Sequence, residues 1–110
     1  MSWTIEYYDQ KLEGKILALP DGLLARYLHL TDLMLEFGSN LGQPHTKLIA
    51  TGLFEIRIKS KEGIARVFYC TKVGKRIIML HVLIKKTQKI PKKEVRLANR
   101  RMKEVLENGS

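Results

Sequence analysis

The sequence predicts an α+β fold, because its patterning segregates helix from strand. Residues Gly22 to Phe37 repeat apolar side chains at helical spacing, residues 53–86 alternate in a strand rhythm, and Pro91 opens a further helical pattern. Strands that run together between helical blocks form antiparallel ladders. The expectation is an N-terminal strand and helical hairpin, an antiparallel sheet of about four strands, and a C-terminal helix.

Trp3 to Tyr8 alternates aromatic or β-branched residues with polar ones and reads as a short strand. Leu12, Ile16 and Leu19 are at helical spacing, although Gly14 weakens a helix there. Pro20-Asp21 supplies the next helix start, and Leu23, Tyr27, Leu30 and Met34 form its apolar stripe. Leu24, Leu28 and Leu35 widen that stripe, and Gly38 is a natural stop. Residues 39–52, with Gly, Asn, Pro and Thr, read as a loop. Leu53 to Lys59 places Phe54, Ile56 and Ile58 on one face and Glu55, Arg57 and Lys59 on the other. Ile64 to Lys72 and Arg76 to Lys86 follow as strands, separated by turns at Lys61-Glu62-Gly63 and Val73-Gly74-Lys75. The last of them is apolar on both faces, as a strand covered on two sides must be. In the final helix, through about Leu106, Val95, Ala98, Met102 and Val105 form the buried stripe, opposite Lys93, Arg96, Arg100 and Lys103.

A chain of 110 residues is expected to make one domain, residues 1–110. No apolar run approaches the roughly 18 to 20 residues that span a bilayer. The opening Met-Ser-Trp-Thr-Ile-Glu lacks the pattern of a signal peptide. Cys70 alone cannot make an internal disulfide, which fits a reducing compartment. The expected location is the cytoplasm, with no membrane partner. The net charge of +9 is distributed unevenly: residues 1–50 net −2 and residues 51–110 net +11. That polarity points to an oriented polyanion-binding face, the alternative being a solvated surface.

Cys70 and the scattered His29, His45 and His81 show no metal-ligand spacing. No glycine-rich phosphate loop occurs, and carboxylates are sparse in the basic half, so neither a metal nor another cofactor is expected. What remains is a set of cations on strands: Arg57 and Lys59, then Arg66, then Lys85 and Lys86. If the strands are neighbours in order, these side chains converge. RNA cleavage without a metal needs a 2′-hydroxyl to attack the adjacent phosphate, with proton carriers and a cation to hold the added negative charge. Arginine suits the last task because it is always charged and grips phosphate oxygens in pairs. Crowded lysines exchange protons more readily than isolated ones. His81 and Tyr69 are the conventional proton carriers nearby in sequence, each with a competing reading as a packed residue. Lys59, Lys89, Lys92, Lys93, Arg96 and Arg100 are the candidate RNA-binding cations, against the competing reading of a solvated face.

From Gly38 onward the chain resembles the HigB-like, phage-derived branch of the RelE/ParE toxin superfamily. The motifs are Glu36-Phe37-Gly38, Leu41-Gly42-Gln43-Pro44, Gly52-Leu53-Phe54-Glu55-Ile56-Arg57 and Arg66-Val67-Phe68-Tyr69, then Leu80-His81-Val82-Leu83-Ile84-Lys85-Lys86, Pro91-Lys92-Lys93-Glu94 and Ala98-Asn99-Arg100-Arg101-Met102. The resemblance implies a toxin that cleaves mRNA on the translating ribosome and is silenced by a cognate antitoxin; the alternatives are a ParE-like toxin that poisons gyrase and a non-catalytic nucleic-acid-binding partner protein. The antitoxin would be a helix-turn-helix DNA-binding protein, which alone would bring the complex to operator DNA. By position, Arg66 matches the family's active-site arginine, Arg57 and Lys59 its basic strand positions, and Lys85 with Lys86 the basic site after the last long strand. His81 matches a histidine common in the branch. The tyrosine many relatives carry near the C-terminal helix has no counterpart, since residues 87–103 hold none. Replacing Arg66 by alanine is expected to stop toxicity with the fold intact.

Overall fold

A computed structural model describes residues 2–85 and 89–108. Among the described residues eight elements follow one another: β1 (Thr4–Tyr7), α1 (Gln10–Leu17), α2 (Asp21–Phe37), β2 (Thr46–Ala50), β3 (Leu53–Ser60), β4 (Gly63–Lys72), β5 (Arg76–Lys85) and α3 (Lys92–Glu107). The strands form one sheet in the order β1-β5-β4-β3-β2. The α+β class stands, with two differences from the expected sheet. A fifth strand, β2, lies within the segment read as a loop, and β1 joins β5 in parallel, so the sheet is mixed.

Alternation along the strands produces two apolar faces. Ile56, Ile58, Ala65, Val67, Tyr69, Ile77 and Met79 face α1 and α2, whose Leu12, Ile16, Leu23, Tyr27, Leu30 and Met34 cover them. Leu53, Phe68, Cys70, Ile78 and Leu80 face Ala98 and Met102 of α3. β4, covered on both sides, is buried without interruption from Ile64 to Cys70. No helix among the described residues is long and apolar enough to cross a membrane.

β1 is fastened at its edge position by Glu6, which accepts paired hydrogen bonds from Arg76 Nε and Nη2 at 2.6 and 2.8 Å. Its carboxyl is held below the usual carboxylate range, chiefly by those bonds. Asp9 caps α1 by accepting from Leu12 N at 2.8 Å, which offsets the poor helix propensity of Gly14. At the start of α2 no residue of its own caps the helix. The carboxylate of Glu62, in the β3–β4 turn, accepts from Leu23 N at 3.2 Å instead. Gly22 permits that approach, because a β-carbon there would lie 2.4 Å from Glu62 Oε1. Glu62→Ala is therefore expected to cost about 0.5–2 kcal/mol through loss of a cap and of a favourable charge at the helix dipole. Equilibrium urea unfolding checks this, and an unchanged midpoint would remove Glu62 from that role.

Candidate functional site

The three meander strands β3, β4 and β5 are neighbours in order, so alternating positions on one face line up in rows across the sheet. Toward the β3–β4 turn the rows are Glu55–Phe68–His81, then Arg57–Arg66–Leu83, then Lys59–Ile64–Lys85. All lie on the face that carries α3. The apolar cluster beneath α3 includes Phe68, and beyond it the face turns cationic. Arg57, Lys59, Arg66 and Lys85 thus come together at one end of the sheet. Lys86 lies outside the described residues.

These cations differ in setting. Arg66 is only 4% exposed, and its Nη1 donates to both carboxylate oxygens of the equally buried Glu55, at 3.0 and 3.3 Å. It is a buried ion-pair partner, not a solvated strand cation. Removing it leaves the buried Glu55 carboxylate without its hydrogen-bonded partner, a cost that the expectation of an intact Arg66→Ala fold left out. Arg57 is half-buried and Lys59 exposed. Arg57 lines a cavity of about 150 Å³ with Gln43, Pro44, Lys47, Glu55 and Arg66. It also lines a larger one, about 470 Å³, with Arg26, Pro44, His45 and Lys59. Arg57 is the residue the two cavities share with Pro44, at the rim of the sheet beside the β2 edge.

The loop before β2 is built to hold its position there. The hydroxyl of buried Thr46 donates to Asn40 Oδ1 at 2.9 Å and accepts from Gly42 N at 2.8 Å. Arg57 N donates to the carbonyl of His45 at 2.8 Å, continuing the β2–β3 ladder by one residue. His45 and Arg57 are consequently fixed relative to each other by backbone.

His81 is placed differently. Its ring stacks on Phe68, with centroids 6.0 Å apart and planes within 10°. Its Nε2 approaches Glu94 of α3 to 3.4 Å without hydrogen-bond alignment. Burial holds this imidazole below its ordinary pKa, against the opposing pull of Glu94, so the neutral form is favoured. Tyr69 is on the opposite face of the sheet, where its hydroxyl donates to the carbonyl of Ser39 and burial pushes its pKa up to about 12. It is a packed residue on the face opposite the cations.

Among the other candidate cations, Lys89 and Lys92 line a third basic cavity with Lys85, Ile90 and Pro91, about 410 Å³ in volume. Lys93, Arg96 and Arg100 are exposed on the outer side of α3. Among the described residues, no three His, Cys, Asp or Glu side chains are grouped to hold a metal ion. Sequence reasoning missed Glu55 as the partner of Arg66, and Arg26, His45 and Lys47 as neighbours of Arg57. For Glu55 a signal existed: it shares the polar face of β3 with Arg57 and stands diagonal to Arg66 in the ladder. Arg26 comes from α2 and gave none.

Comparison with curated proteins gives no match at the level of significance applied. The family model described as Phage derived protein Gp49-like (DUF891) matches residues 15–103, from α1 through most of α3. This match spans the whole cation-bearing meander, and by it the chain belongs to the phage-derived Gp49-like family, a family of RelE/toxin-like proteins.

Proposed function

We propose that this protein is the toxin of a type II toxin–antitoxin pair, a metal-independent endoribonuclease of HigB-like type that cuts mRNA on the translating ribosome. The observation that carries the reading is the gathering of Arg57, Lys59, Arg66 and Lys85 in two adjacent rows at one end of the sheet. The carboxylate there, Glu55, is committed to Arg66, so the site offers cations. That composition suits 2′-hydroxyl attack on phosphorus. The 2′-oxygen gives up its proton and bonds to phosphorus, the bond from phosphorus to the 5′-oxygen breaks, and that oxygen takes a proton. The products are a 2′,3′-cyclic phosphate and a 5′-hydroxyl. Arg57, with Arg66 behind it, stabilises the charge added to the non-bridging oxygens. Lys59 or Lys85 protonates the leaving oxygen. Lys89, Lys92, Lys93, Arg96 and Arg100 provide sequence-independent attraction to ribosomal and messenger RNA.

The partner is a cognate antitoxin, a helix-turn-helix DNA-binding protein that carries the complex to operator DNA, and the site of action is the cytoplasm, where the ribosomes are. Primer extension on a defined mRNA in a cell-free translation reaction tests the reading. New 5′ ends inside the open reading frame are expected only when both ribosomes and the protein are present. Intact mRNA in every lane would overturn it, and gyrase cleavage complexes, the product of a ParE-type toxin, would then be assayed.

A further inference from the structure

We infer that His45 is the general base of the cleavage reaction, an assignment that rests on the nuclease reading above. A proton carrier must reach the reacting atoms. Neither of the two conventional carriers near the cations in sequence meets that condition in the fold. Tyr69 is on the helical-hairpin face, and His81 is stacked on Phe68 and turned to Glu94 beneath α3.

His45 meets the condition. It is half-buried and lines the 470 Å³ cavity together with Arg26, Arg57 and Lys59. An imidazole beside three basic side chains is the residue set that transfer to a 2′-oxygen requires: a ring nitrogen that can take a proton beside groups that hold a phosphate. The charged side chains facing it are Arg26 from α2 and Arg57 and Lys59 from β3, with Lys47, Glu55 and Arg66 in the adjoining smaller cavity. The backbone bond from Arg57 N to His45 O, and the Asn40–Gly42–Thr46 hydrogen bonds behind it, hold the imidazole in register with the arginine. Such preorganisation is what a positioned base needs. In the step itself, His45 takes the proton from the 2′-hydroxyl as the 2′-oxygen bonds to phosphorus. Lys59 gives a proton to the departing 5′-oxygen, and the two side chains return to their starting states by exchange with water. Arg26 and Arg57 bear on the non-bridging oxygens.

The test compares single-turnover cleavage of mRNA on programmed ribosomes by the wild type and by His45→Ala, with melting curves of both. The variant is expected to melt as the wild type does and to cleave about 10²–10⁴-fold more slowly. Added imidazole is expected to restore part of the rate, and the acid limb of the wild-type pH profile is expected to vanish in His45→Ala without imidazole. A purely structural role would move neither of these last two readouts. His81→Ala serves as the control, and its pH profile is expected to keep that limb. If His45→Ala cleaves as fast as the wild type, or if the lost rate follows lost folding and imidazole restores nothing, the assignment is overturned while the nuclease reading stands. If the wild type itself leaves the message intact, the nuclease reading fails and His45 falls with it.

Discussion

Replacing Arg66 with alanine is expected to destabilise the fold by about 3–5 kcal/mol, because it leaves the buried Glu55 carboxylate without the guanidinium that hydrogen-bonds it. Both side chains are almost fully buried, at 5% and 3% exposure, and the pair is made through two short contacts to one guanidinium nitrogen. Transfer of a lone carboxylate from water into such a site costs more than the pair contributes when intact. Glu55→Ala is expected to be destabilising for the mirror reason. Changing both partners to apolar residues of similar size, Glu55→Leu with Arg66→Met, is expected to recover most of the loss, since the desolvation cost disappears with the charges. Urea unfolding of the three variants checks this, and a single variant as stable as the wild type would refute the pair's structural role. The double variant has a second use. Once urea unfolding shows it folded, its mRNA cleavage separates the arginine's contact with phosphate from its service to the sheet.

Arg57→Ala is expected to lower cleavage about 10²–10³-fold with little change in stability, the magnitude typical of losing one preorganised donor to a developing oxyanion. Arg57 is half-buried at the rim between two cavities, and the bond that positions its backbone runs from its own N–H to His45, which alanine retains. Lysine at this position keeps the charge but not the planar paired donors, so Arg57→Lys is expected to recover only part of the rate. Primer-extension product formed at a fixed time, read beside a melting curve for each variant, is the measurement. Wild-type cleavage by a folded Arg57→Ala protein would remove the arginine from the chemistry.

The elements legible in the sequence were those that bury one face against a neighbour. α2 and α3 showed their stripes because one side of each is packed, and β3 showed its alternation because Ile56 and Ile58 are buried while Arg57 and Lys59 reach the other face. β2 was illegible for the opposite reason. As an edge strand of five residues, exposed at Lys47 and Leu48 and irregular between Leu48 and Ala50, it carries little period-two signal. The parallel seat of β1 was also hidden, since a strand's own pattern does not say which distant strand it joins. Within the site, the row of cations followed from alternation plus neighbouring strands. The Glu55–Arg66 pair depended on register, and the meeting of Arg26 with His45 depended on how α2 packs on the sheet. Both are tertiary facts with no local trace.

The seat of β1 has a bearing on when this molecule comes into being. Its residues pair with Arg76 to Met79, which are synthesised long after them, and the meander that gathers the cations ends only at Lys85. Contacts so distant along the chain form late, after the cost of closing the intervening loop has been met. While the polypeptide is still emerging, its first strand has no mate and its cationic rows are incomplete. A nuclease of the kind proposed would in this way lack its assembled cationic face until β5 has been made and paired.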